Sequence, residues 1–107
     1  MVARTWRGEA MGENAEQYLE HLEKSVLPQL KDIAGHRDAY VLRRPVENRY
    51  EFLVITLWDS MESIRRFAGQ NPDQAVVPLE ALRLLSRFDE SVSHYEVVSP
   101  TQARQNA

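Results

Sequence analysis

A strand with one face on helices and the other in water should alternate apolar and polar residues. Residues 50–58 do not. Phe52, Val54, Thr56 and Trp58 point to one side of an extended chain while Leu53, Ile55 and Leu57 point to the other, so both sides are apolar. Helices of the same chain can cover only one of them. A second apolar face of roughly 400 Å² would, once covered, be worth about 10 kcal/mol at ~25 cal/mol per Å² before association costs. A chain of 107 residues has too little sequence for another layer of its own, so a second copy is the expected cover.

The remaining elements follow from spacing. Residues 1–10 carry Val2, Thr5 and Trp6 without helical periodicity and read as a first strand, with Met11 and Gly12 as a loop. In residues 14–33 the apolar positions Ala15, Tyr18, Leu19, Leu22, Val26, Leu27, Leu30 and Ile33 recur in steps of three, four and one, the face of an amphipathic helix. Pro28 predicts a kink or break, with a separate turn over residues 28–33. Residues 39–44 and 50–58 read as strands joined by a hairpin loop over residues 45–49. Asp59 is the expected N-cap of a second helix carrying Met61, Ile64, Arg65 and Phe67 and ending near Gly69. Pro78 opens a third helical piece over residues 79–85 with Leu82 and Leu85 inward, and residues 92–98 form a last strand. The order is that of an α+β, ferredoxin-like split βαβ unit. It predicts a four-stranded antiparallel sheet with helices on one face, one domain over residues 1–98, and a flexible polar tail over 99–107.

Composition narrows the chemistry. There is no cysteine, which removes disulfides, thiolate metal sites and thiol nucleophiles and makes the cytoplasm the default location. A net charge of −3 without a basic block argues against nucleic acid. No apolar run approaches a membrane span and residues 1–10 lack the apolar core of a signal, so neither membrane nor targeting is expected. The three histidines share no ligand spacing, so no metal site is expected, and no phosphate loop or dinucleotide fingerprint is present.

Thr56, Leu57, Trp58, Asp59 and Ser60, followed by Ile64, Phe67, Ala68 and Gly69, resemble the antibiotic biosynthesis monooxygenase type of dimeric α/β barrel. His94, Tyr95, Glu96 and Val97 resemble its last strand in uncharacterised bacterial members, and the likeness in element order spans residues 3–98. It implies a homodimer through the open sheet face and a small hydrophobic or aromatic ligand between sheet and helices. The superfamily includes cofactor-free oxygenases of aromatic polyketides, haem-degrading enzymes, small-molecule isomerases and many proteins of unknown role. The haem-degrading pattern departs here at three places: the first strand has no Asn, Phe67 stands where those enzymes have Trp, and Ala75, Val76 and Val77 stand where their His would fall.

The resemblance therefore implies a monooxygenase-like enzyme with no cofactor, in which an aromatic or enolisable substrate supplies the electrons that reduce oxygen. His94 is the candidate base, Tyr40, Arg4 and Tyr18 are candidate donors, and Trp6, Tyr18, Trp58 and Phe67 are candidate substrate contacts. The alternatives are a noncatalytic dimeric binding or stress-response protein for a hydrophobic metabolite, and a porphyrin binder without degradation. Blander roles compete at single residues. His94 suits a sheet edge, His21 and His36 suit solvent, and Trp58 suits a core anchor. Glu16, Glu20 and Lys24 suit a solvated helix face, and Arg43 and Arg44 suit a charged hairpin edge.

Overall fold

A computed structural model describes residues 1–99; the expected tail lies, from residue 100 on, outside the described residues. The elements are β1 (Val2–Met11), α1 (Gly12–His21), a π-helical turn (Leu22–Val26), α2 (Leu27–Leu30), β2 (His36–Val46), β3 (Arg49–Trp58), α3 (Met61–Ala68), α4 (Leu79–Leu82), β4 (Arg87–Phe88) and β5 (Ser93–Glu96). The sheet is antiparallel in the order β2-β3-β1-β4, with β5 also on β1. This is the ferredoxin-like plan with one correction. The single last strand expected over residues 92–98 is two short strands, β4 on Gly8 and Glu9 and β5 on residues 2–5, sharing the fourth place beside β1.

Local chemistry accounts for the other departures. Helix α1 begins directly at Gly12, whose φ of +50° turns the chain without a loop. Pro28 is tolerated because the helix widens before it: the Leu27 amide reaches back to Leu22 O, and Pro28 then falls in the first turn of α2, where no amide is needed. The helix ends at Leu30, short of Ile33. The hairpin loop shrinks to Glu47 and Asn48, since Pro45 fits the edge strand β2 opposite Tyr50. Ser60, not Asp59, caps α3, its Oγ accepting from the Ser63 amide at 3.2 Å, while Asp59 pairs with Arg37. In α4, Ala81 is buried and Leu82 is 42% exposed, the reverse of the expected orientation for Leu82.

Alternation along β1 and β3 sorts the core. Ala10 and Phe52 pack with Ala15, Tyr18 and Leu22 of the helix above, and Trp58 packs with Leu30 and Ile64. The opposite parity carries Leu53, Ile55 and Leu57, joined in register by Leu42 opposite Leu53 and Tyr40 opposite Ile55. Leu42 is 47% exposed and Tyr40 54%, so this apolar face is uncovered within the protomer.

Gly35 fixes the corner between α2 and β2. Its φ is +91°, and a Cβ there would stand 2.2 Å from Ser63 Oγ and 2.5 Å from Ser63 Cβ. Gly35→Ala is expected to cost about 2 kcal/mol or more, lowering Tm by ~10 °C for a domain this small. A melting curve within about 2 °C of wild type would show that the corner relaxes freely.

Candidate functional site

A pocket of about 80 Å³ that opens to solvent lies between the helix-facing side of β1 and β3 and the helix from α1 through the π turn. Its walls are largely apolar: Trp6, Val54, Leu22 and Phe67, closed by Val76, Val77 and Pro78 from the segment before α4. Its polar lining comes from Arg4 and Thr56 on the sheet and Tyr18 and His21 on α1. The Thr56 hydroxyl already accepts from Trp58 Nε1 at 2.8 Å.

Arg4 is 5% exposed and is held from three directions. Nη1 donates to Pro72 O and to His94 Nε2 at 3.1 Å, and Nη2 donates to Gln74 O at 3.0 Å. Its Cζ lies 5.6 Å from the centre of the Phe67 ring, which stacks in turn on Trp58 at 5.7 Å. A guanidinium carries five N–H groups. Three are accounted for, and Nε–H and the second Nη2–H have no partner among the described residues.

The Arg4 contact settles the state of His94. Arginine only donates, so Nε2 must accept; the ring is neutral with its proton on Nδ1, which faces Asp73 Oδ1 at 3.4 Å. Burial, and then the charge of Arg4, hold its pKa below the ordinary histidine value. His94 thus lies beside the pocket with its lone pair engaged, which fits it to orient Arg4 and leaves it unsuited to take a proton from a ligand.

The other sequence candidates separate. Trp6 and Phe67 line the pocket; Trp6 donates to Asp89 O at 2.7 Å, and its ring folds over Gly8, where a Cβ would fall 2.5 Å from Cη2. Tyr18 is 3% exposed, its hydroxyl has no partner among the described residues, and burial pushes its pKa up, so the group stays protonated and able to donate. Two placements correct the sequence reading. Tyr40 is on the opposite, open face of the sheet, because its register partner is Ile55, so it takes no part in this pocket. Trp58 is fully buried behind Phe67 and is a core anchor rather than a pocket wall.

The sequence reading missed His21, Thr56 and Asp73. His21 lines the pocket with its ring stacked on Tyr18 at 6.3 Å, and its Nε2 is buried without a hydrogen bond. Its spacing of three from Tyr18 carried that signal, masked by Glu20 and Glu23 beside it. His36 is likewise no solvated side chain, since its Nε2 is buried and its ring meets Trp58 edge-on at 5.0 Å. By contrast Lys24 pairs with Glu20 at 2.9 Å and Arg43 with Glu16 at 2.8 Å, so the helix carboxylates form an exposed charged face. Among the described residues no three His, Cys, Asp or Glu side chains converge as a metal site would need, and no helix is long and apolar enough to cross a membrane.

His94 and His36 both have pKa values held below 6.5, chiefly by burial. The unfolded chain therefore takes up protons near pH 6.5 while the folded chain resists them. The stability these rings contribute is full above pH 6.5, declines as the pH falls below it, and stops declining once the folded rings protonate too. Melting curves should show Tm falling as the pH drops below that value and less so in His36→Gln, and a flat profile would contradict the shifts.

A family model described as antibiotic biosynthesis monooxygenase matches residues 1–77, which include Arg4, Trp6, Tyr18, His21, Phe67 and Asp73. No curated protein matches the chain. Among solved structures, a point mutant of SnoaB, a cofactor-independent oxygenase from Streptomyces nogalater, is 15% identical over 92% of this chain and 94% of its own, with a TM-score of 0.62. MhuD, a haem degrader from Mycobacterium tuberculosis solved with two haems in its active site, is 19% identical over 95% of this chain and 100% of its own, TM-score 0.60. A dimeric ferredoxin-like protein from an uncultured marine organism is 17% identical over 95% of this chain and 99% of its own, TM-score 0.55. At such identities the likeness is one of fold.

Proposed function

The chain belongs to the antibiotic biosynthesis monooxygenase family, and from that premise we propose a homodimeric, cytoplasmic, monooxygenase-like enzyme that acts on an aromatic or enolisable compound without metal or nucleotide. The observation that carries this reading is the buried guanidinium of Arg4, which lines a largely apolar pocket and has two N–H groups without a partner among the described residues. Such donors favour a negative oxygen that develops during reaction over a neutral carbonyl, and the apolar walls strengthen the preference.

The chemistry balances with oxygen as the only co-reactant. His21 Nε2 takes a proton from an activated CH2 of the substrate, and the C–H electron pair moves onto the conjugated carbonyl oxygen. Arg4 and the Tyr18 hydroxyl hold that oxyanion. The carbanion passes one electron to O2, the radical pair joins as a C–O bond, and His21 returns its proton to the peroxide. Loss of the second C–H proton with cleavage of O–O leaves C=O and water, so that CH2 and O2 become C=O and H2O. Asp73 and His94 act through Arg4, holding the guanidinium in place rather than touching the substrate. Trp6 and Phe67 form the flat walls, and the open face with Leu53, Ile55 and Leu57 forms the dimer contact.

Oxygen uptake with a panel of anthrones, quinols and related phenols tests the reading. Saturable uptake with one oxygen consumed per ketone formed supports it. Micromolar binding of the same compounds with no uptake would replace it with a binding protein that sequesters its ligand.

A further inference from the structure

Arg4 is buried and charged, yet none of its partners is an anion. Pro72 O, Gln74 O and the ring of His94 are neutral, and none of the ion pairs among the described residues includes Arg4. The Phe67 ring offers its π face but no charge. The charge of Asp73 does reach Arg4 and offsets part of the burial, but burial outweighs it; Asp73 makes no ion pair with Arg4 and its side chain is 75% exposed, so water screens much of its field. A cation with so little compensation is costly to bury, and the fold carries that cost at the wall of an apolar pocket.

We infer that the ligand supplies the missing counter-charge: it is a planar, apolar molecule that carries one negative oxygen group when bound, an aromatic carboxylate being the simplest stable form, whose oxygens take the place on Arg4 that the oxyanion takes in the proposed reaction. The inference rests on the proposed function only in taking this pocket as the ligand site. A single cation selects one negative charge, and the Trp6, Val54 and Phe67 walls select a flat hydrocarbon body. The two groups on α1 add a second polar contact across the pocket, the Tyr18 hydroxyl as donor and His21 Nε2 as the partner of a ligand hydroxyl. A fork of two parallel N–H groups matches a carboxylate in geometry as well as charge.

The test uses the intact wild-type protein titrated near neutral pH with 2-naphthoate and with 2-naphthamide, which has the same ring and nearly the same size without the charge. Tryptophan quenching and calorimetry read the two affinities. The carboxylate should bind at least about tenfold more tightly, and Arg4→Gln should bring the ratio close to one. Equal affinities in the wild type, tighter binding of the amide, or no saturable carboxylate binding up to about 1 mM would overturn the inference, and these results need no variant to fold. The outcome is separable from the oxygenase reading. Carboxylate preference without oxygen uptake by any compound would sink that reading alone, and turnover of neutral anthrones with no carboxylate preference would sink this inference alone.

Discussion

An Arg4→Lys variant should remain folded and still bind an anionic ligand, yet oxidise substrate at least about a hundredfold more slowly than wild type. Lysine keeps the positive charge but has one nitrogen where arginine has three. The guanidinium donates to Pro72 O, Gln74 O and His94 Nε2 and still has two N–H groups left for the ligand. An ammonium has three donors on one atom and cannot satisfy two carbonyls and a ring while facing the pocket. Removing one preorganised donor to a developing oxyanion typically costs about 3 to 4 kcal/mol of barrier, a factor of ~10² to 10³. The loss should appear in kcat far more than in KM, because the charge that attracts the ligand is retained. Turnover within about fivefold of wild type, with normal melting, would mean that charge alone suffices and that the clasp of Arg4 by residues 72–74 serves the fold only.

That clasp shows where sequence stops being informative. Arg4 and His94 are register partners on β1 and β5, 90 residues apart in the chain. No local pattern announces that the histidine lone pair accepts from the arginine, and a histidine chosen as a base from its type alone becomes a positioning group once that partner is in place. Asp73 lies in an irregular segment with no periodicity to mark it. The double-sided character of β3 was legible because side chains alternate strictly, and the helix-facing parity follows from Phe52 and Trp58 alone. Tyr40 was not legible for the complementary reason. Its face depends on the register of β2 against β3, which the two-residue turn at Glu47 and Asn48 sets, and a five-residue loop leaves that parity open. His21 stood between the two cases. Its spacing from Tyr18 placed it beside the apolar stripe, but the acidic residues around it describe the other side of the same helix.

In the proposed homodimer, Ile55→Asp should separate the two copies while the helix side of the sheet keeps its packing. Ile55 sits at the centre of the open face, with Thr5 opposite on β1 and Tyr40 opposite on β2. Leu53 and Leu57 lie two residues away on the same side of the strand. Within one protomer this face borders solvent, with Tyr40 54% and Tyr95 59% exposed, so a carboxylate there can stay hydrated. Against a second copy it would be shut away from water among apolar side chains with no cation to pair with, a penalty of several kcal/mol, and symmetry places two such carboxylates in one interface. Sedimentation should then give about half the wild-type mass at the same concentration. The monomer should melt lower because its apolar face is left uncovered, and it should keep some affinity for an aromatic carboxylate, since Arg4 and the pocket lie on the other side of the sheet. A variant that sediments as wild type would move the dimer contact away from this face, and the two-sided strand would then need another explanation.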